Sequence, residues 1–260
     1  MTTPTPPRAL RSERDRWERL ARDPYYAVLN VEAHRQDRLS ESDRERFART
    51  GDEEVARTFE EIRRWVAPGF APVRAVDFGC GVGRLTIPIA RIAERVTGID
   101  ISETMLEEAR RNCVARGVDN ATFVSSDVYF ADGAAAAEPV DFVHAYIVFQ
   151  HMPPRAGRWV ADALVRQLAP GGVGALHFTY ARRASMTRRV VHRLRRFVPG
   201  VNALVNLVQG RAASEPLIPM NEYDLGGLFA LLASHGCTEV HARLTDHGGH
   251  LGAMLLFRKP

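Results

Sequence analysis

Val76-Asp77-Phe78-Gly79-Cys80-Gly81-Val82-Gly83-Arg84 is the stretch that decides how this chain folds. A short apolar run ends in closely spaced glycines, and an amphipathic segment opens directly after them. That is a β-strand delivering the backbone into a tight turn and then into a helix, with no Cβ in the way of a ligand. Alone, the loop indicates a nucleotide-like cofactor.

Two neighbouring details narrow the ligand. A dinucleotide site wants G-x-G-x-x-G so that a helix N-terminus receives a pyrophosphate, yet the sixth position from Gly79 is Arg84. Asp77, two residues before the first glycine, would repel a pyrophosphate and attract an ammonium or sulfonium cation. Further on, Gly98-Ile99-Asp100-Ile101-Ser102 ends a second strand, and Asp100 is placed about 20 residues past the loop to accept hydrogen bonds from ribose hydroxyls. Ser126-Asp127-Val128 follows a third strand and offers a carboxylate to an adenine amine. An adenosine bearing an amino-acid tail satisfies all of these features.

Asp77-x-Gly79-x-Gly81-x-Gly83 followed by Gly98-Ile99-Asp100-Ile101-Ser102-x-x-Met105-Leu106-x-x-Ala109 resembles the class I S-adenosylmethionine-dependent methyltransferases over Val73 to Tyr180. The resemblance implies an α/β fold with a Rossmann-like, seven-stranded, mostly parallel sheet, one antiparallel strand and helices on both faces. It implies S-adenosylmethionine as cofactor. Asp77, Gly79 and Gly81 would meet the methionine end, Asp100 the ribose, Ile101 and Met105 the adenine faces, and Asp127 with Val128 the adenine edge. Cys80, Gly83, Arg84 and Tyr146 complete the expected cofactor-binding set.

Outward from this centre, alternating apolar and amphipathic runs predict strands near Ala75 to Phe78, Arg95 to Ile99, Thr122 to Ser125, Asp141 to Tyr146 and Gly174 to Thr179. Helices are expected over Arg84 to Ala93, Glu103 to Ala115 and Arg155 to Leu168, and another from near Glu222. Glu239 to Leu244 and Leu251 to Phe257 read as a closing hairpin across a turn-rich Thr245 to His250. Residues 1–68 read as a disordered tip and a helical cap, with helices over Leu10 to Ala21 and Glu53 to Val66. Residues 69–260 form the methyltransferase domain, interrupted over 181–220 by a helical lid insertion.

Methyl transfer from a sulfonium is an in-line displacement, so positioning and exclusion of water are the protein's main tasks. Tyr146-Ile147-Val148-Phe149-Gln150-His151 ends the fourth strand, where ligands bind in such sheets, and makes His151 the candidate base or acceptor contact. His151 serves equally as a hydrogen-bond partner for the following helix. Tyr26, Gln150, His247 and His250 are the remaining acceptor-contact candidates. No metal is expected, since histidine pairs in turns are usually just solvated.

The insertion carries Arg182, Arg183, Arg188, Arg189, Arg193, Arg195 and Arg196, and no acidic residue lies from Ala163 to Ser214. Met186, Val190, Leu194 and Phe197 fall at helical spacing, predicting a basic amphipathic helix. It would pack on the domain, cover the acceptor as a lid, or lie against an anionic membrane or phosphates.

The chain is 260 residues long with 45% hydrophobic and 25% charged residues, as in folded globular proteins. Its net charge is +4, with Lys259 the single lysine. Three cysteines far apart argue against a disulfide framework, and with no run of about 18 apolar residues a cytoplasmic protein without a membrane span is expected. The expected activity is methyl transfer to a small-molecule acceptor, with an anionic one suiting the arginines. An RNA methyltransferase and a non-catalytic cofactor-binding protein are the alternatives. Nucleic acid is disfavoured because no separate RNA-binding module and no Asn-Pro-Pro-Tyr-like motif after the fourth strand are present.

Overall fold

A computed structural model describes residues 8–29, 39–131, 138–183, 194–195, 198, 200–208, 213–214 and 217–260; the side chains of residues 8–12, Tyr26 and Leu29 lie outside that description. Three helices open it, α1 (Arg8–Leu20), α2 (Pro24–Leu29) and α3 (Glu41–Trp65). The alternation that follows is β1 (Arg74–Phe78), α4 (Thr86–Ala90), β2 (Arg95–Asp100), α5 (Glu103–Ala115), β3 (Ala121–Ser125), α6 (Ser126–Tyr129), β4 (Val140–Ala145), α7 (Pro154–Gln167) and β5 (Leu168–Arg182). Then come α8 (Val201–Val208), α9 (Leu225–Ser234), β6 (Val240–His247) and β7 (His250–Arg258).

The seven strands lie in the order β3-β2-β1-β4-β5-β7-β6, parallel except for β7, which runs antiparallel to both neighbours. Gly248 and Gly249, both at positive φ (64° and 89°), make the two-residue turn that reverses β6 into β7. The order changes direction between β1 and β4, so the loops leaving these two strands part and open a crevice at their carboxyl ends.

Each face of the sheet has its own core. Val76, Phe78, Val143, Ala145, Leu176 and Phe178 pack under α7 and α9. Ala75, Phe142, Val173, Ala175, Met254 and Leu256 pack with Val55, Phe59 and Ile62 of α3. The second half of α3, expected as part of the cap, therefore belongs to the sheet's core. It starts at Glu41 and not near Glu53, because Ser40 and Asp43 form a reciprocal capping box.

A third cluster joins Leu20, Ala21 and Tyr25 to Phe47, Val82 and Met105, seating α1 and α2 over the glycine loop. Polar anchors fix this seat on α5. The Tyr25 hydroxyl donates to Glu108 at 2.6 Å, and the Glu103 backbone N–H donates to Glu18 at 2.7 Å.

Helix α4 is shorter than the expected Arg84 to Ala93, and β5 begins at Leu168, six residues before the expected start. Of the expected basic amphipathic helix, Met186, Val190 and Phe197 lie outside the described residues, while Leu194 is exposed. Among the described residues no helix is long and apolar enough to cross a membrane.

Candidate functional site

The glycine loop owes its shape to two constraints. Gly79 sits at φ +73°, and a Cβ there would stand 2.2 Å from the Val148 side chain, so only glycine lets the two loops approach. The Gly79 and Cys80 N–H groups donate to the Ile99 carbonyl at 2.7 and 3.0 Å, tying the loop to the end of β2. Gly83 stands outside the cleft, with Ala109 of α5 3.4 Å from where its Cβ would be, so its role is helix packing.

Asp100 anchors the same loop from the other side. Its Oδ2 accepts from the Gly81 N–H at 2.9 Å and its Oδ1 from the Ser102 N–H at 3.0 Å. Burial raises its pKa, and the N–H groups of Ser102, Gly81 and Ile101 pull it back down. Each oxygen keeps a lone pair, so the carboxylate remains an acceptor at the cleft wall.

Asp77 is buried at the cleft floor with both oxygens engaged by protein groups. Oδ1 meets His144 Nδ1 at 2.8 Å, and Oδ2 accepts from the Thr86 hydroxyl at 2.6 Å. It lies against the cleft at the end of β1.

The cleft is lined along this wall by Phe78, Gly79, Cys80, Gly81, Asp100, Ile101, Met105 and Ser126, and encloses about 1080 Å³ of unfilled space including its mouth. Ser126 is 3% exposed, and its hydroxyl has no hydrogen-bond partner among the described residues. Asp127 and Val128 do not reach the cleft, since Asp127 pairs with Arg14 of α1 at 2.7 Å and Val128 is exposed. The polar side chain that reaches the cleft after β3 is Ser126, one residue before Asp127.

Beyond β4 the opposite wall is made by Tyr146, Ile147, Val148, His151, Met152 and Pro153. Ile147 holds φ at +59°, a costly conformation for a β-branched residue and one that collects at functional sites. Burial pushes the Tyr146 phenol up to about 12, so it is a neutral donor. His247 stands 3.4 Å from its hydroxyl, and the rings of Tyr146, His177 and His247 lie within 6 Å of one another.

His151 lines the cleft, and its Nδ1 lies 2.9 Å from the Pro219 carbonyl, to which only a protonated Nδ1 can donate. Burial depresses its pKa to about 4, with the Pro219 contact partly offsetting and His250 adding to the fall. It is a neutral imidazole at neutral pH, not a base poised near 7. Gln150 is spent inside the protein, accepting from Thr179 at 2.7 Å. Neither His247 nor His250 lines the cleft, and Tyr26 lies on α2, whose neighbours Ala27 and Val28 do.

Sequence reading missed Glu13, Trp17, Ala27 and Val28, which roof the cleft from α1 and α2. Trp17 packs edge-on against His151 with ring centroids 5.3 Å apart.

An acceptor carboxylate for a ribose, an unpartnered hydroxyl for a base edge and the apolar faces of Ile101 and Met105 fit an adenosine. Residues 75–172 match a family described as a methyltransferase domain. Over 203 residues the chain is 31% identical to a trans-aconitate 2-methyltransferase of Methylobacterium nodulans, covering 77% of this chain and 70% of that one. The chain is an S-adenosylmethionine-dependent methyltransferase.

Solved methyltransferases share its fold. A magnesium protoporphyrin IX methyltransferase from Synechocystis with bound S-adenosylhomocysteine superposes with a TM-score of 0.63 at 18% identity, covering 96% of this chain and 99% of that one. The N-methyltransferase NodS of Bradyrhizobium japonicum, with the same ligand, gives 0.52 at 16% identity over 92% of this methyltransferase and all of that chain. Similarity to a 23S rRNA (uracil(1939)-C(5))-methyltransferase of Burkholderia thailandensis is 34% over 103 residues, and the chain spans only 22% of that protein's length.

Proposed function

We propose that this methyltransferase acts on a small-molecule acceptor bound between the glycine loop and the N-terminal helices. The observation that carries the reading is the roof. Glu13, Trp17, Ala27 and Val28 line the cleft from the N-terminal helices, so part of its wall is built from outside the cofactor-binding half of the chain, as a shaped pocket for a small acceptor requires. The similarity to the trans-aconitate enzyme supports it, because it extends over 77% of the chain, well beyond the cofactor half. The match to the RNA enzyme covers 40% of the chain.

S-Adenosylmethionine, when bound, supplies an electrophilic methyl group on a sulfonium. Asp100 would hold the ribose, Ser126 the adenine edge, Ile101 and Met105 the adenine faces, and the Gly79 to Gly81 backbone the amino-acid tail. Asp77 lends negative charge beneath a cation without surrendering its bonds to His144 and Thr86. On the acceptor side His151 is a neutral positioning group, fixed by Pro219 and Trp17. With the acceptor aligned and water excluded by the roof, most of the barrier is met by orientation.

The test is incubation of the purified protein with a methyl-labelled donor and, separately, fractionated small metabolites and total RNA. Label in a metabolite fraction is expected. Label confined to RNA would overturn the reading.

A further inference from the structure

Helix α8 (Val201–Val208) carries its polarity the wrong way round for a helix in water. Its asparagines are turned to Arg195, which donates to Asn206 at 2.7 Å and to Asn202 at 3.0 Å, and Asn206 is 1% exposed. Its aliphatic side chains face out, Leu204 at 63%, Leu207 at 61% and Val208 at 81% exposure, and these three are the only exposed residues of the helix. They stand three and four apart and so form one stripe along it. Leu194 and Val198, on the stretch leading into α8, are exposed as well.

A surface helix normally buries its apolar stripe and shows water its polar one. Single exposed leucines are ordinary, but a stripe of them over inward-turned asparagines is kept where something apolar covers it. The surrounding sequence says what kind of surface that is. From Ala163 to Ser214 there is no acidic residue, while seven arginines fall between Arg182 and Arg196 and Arg211 follows the helix. A second copy of the chain would bring this acid-free stretch against itself, like charge on like. A protein partner is held through a polar rim, and α8 offers no exposed polar side chain. An anionic bilayer matches both features, taking aliphatic side chains at the acyl boundary and arginines among its headgroups.

We propose that α8 docks this protein on an anionic membrane, lying in the interface plane with Leu204, Leu207 and Val208 turned to the acyl chains. The helix rests on the bilayer and does not cross it, since its eight residues extend about 12 Å against a hydrocarbon core of about 30 Å.

The test is co-sedimentation of the intact protein with vesicles of phosphatidylcholine alone and of an equal mixture with phosphatidylglycerol. Binding to the mixed vesicles, weakened by salt, with little binding to phosphatidylcholine alone, is expected. In Leu204→Ser/Leu207→Ser the affinity for mixed vesicles should fall about 10- to 100-fold, because two leucine side chains are withdrawn from the acyl boundary. Both leucines are exposed, so thermal unfolding and S-adenosylhomocysteine binding of the double variant should match wild type. Should it fail to fold, Val208→Ser, at the most exposed of the three positions, decides by the same comparison with a fall of about 3- to 10-fold.

No sedimentation of wild type with the mixed vesicles overturns the proposal. A double variant that binds them as wild type does also overturns it, since the arginines would then act without α8. Sedimentation velocity of the protein alone covers the rival occupant: a dimer that the double variant dissolves, without vesicle binding, assigns the stripe to a second copy.

Discussion

Asp100→Asn removes one charge and almost no volume from the carboxylate that anchors the glycine loop and faces the proposed ribose site. Its two oxygens accept from different backbone N–H groups, Oδ2 from Gly81 at 2.9 Å and Oδ1 from Ser102 at 3.0 Å. An asparagine has a single carbonyl oxygen, so one of the two donors is left unmatched, at a cost of about 1 to 3 kcal/mol to the loop. Part of this is returned, because burial disfavours the Asp100 charge. The net loss of stability should be about 1 kcal/mol.

Ribose recognition has no such offset. Hydrogen bonds to a charged acceptor contribute about 1.5 to 3 kcal/mol, so S-adenosylhomocysteine should bind the variant roughly 10- to 100-fold more weakly. Calorimetric titration reads the affinity, and thermal unfolding of the same samples separates it from the change in stability. An affinity within twofold of wild type would refute the placement of the ribose at Asp100.

Acid should destabilise the protein through its buried histidines. His151 and His177 are held neutral, with pKa values near 4 and 3, while an unfolded imidazole titrates near 6.5. The unfolded state therefore binds more protons below pH 6.5, and stability present above that pH falls as pH drops toward 4, by about 2 kcal/mol per histidine at pH 5. Urea unfolding at pH 7 and pH 5 checks this, and equal midpoints would contradict it. Gly157→Ala would place a Cβ 1.9 Å from the Tyr223 hydroxyl, which bonds the Phe149 and Met152 carbonyls beside His151, so a loss of about 2 to 3 kcal/mol is expected by chemical denaturation. Trp17→Ala opens the roof and removes the ring against His151. Once an acceptor is found, steady-state kinetics at a temperature where the variant is folded should give kcat/KM about 10-fold lower, and an unchanged kcat/KM would contradict the role of the roof.

What the sequence disclosed follows from which interactions are local. The β1 strand, the glycine loop and Asp100 are read along a few residues, and each occupies its expected place at the cleft. The β6–β7 hairpin was legible because Gly248-Gly249 supplies the two positive φ angles its turn demands. That Ser126 and not Asp127 lines the cleft was not legible, since it depends on Arg14, more than a hundred residues away, pairing with Asp127. The roof depends on contacts of the same range, from Tyr25 to Glu108 and from Glu18 to Glu103. His151 lines the cleft, but its neutral state comes from burial, against the pull of the Pro219 carbonyl, which no spacing of residues encodes.

The central claim is that the cleft over Gly79, Asp100 and Ser126 holds an adenosine with an amino-acid tail and not a dinucleotide. Parallel calorimetric titration of the intact protein with S-adenosylmethionine, S-adenosylhomocysteine and NAD tests it most directly. The account predicts saturable binding of both sulfur ligands and none of NAD, whose pyrophosphate would meet the negative charge of Asp77. Binding of NAD without either sulfur ligand would contradict it.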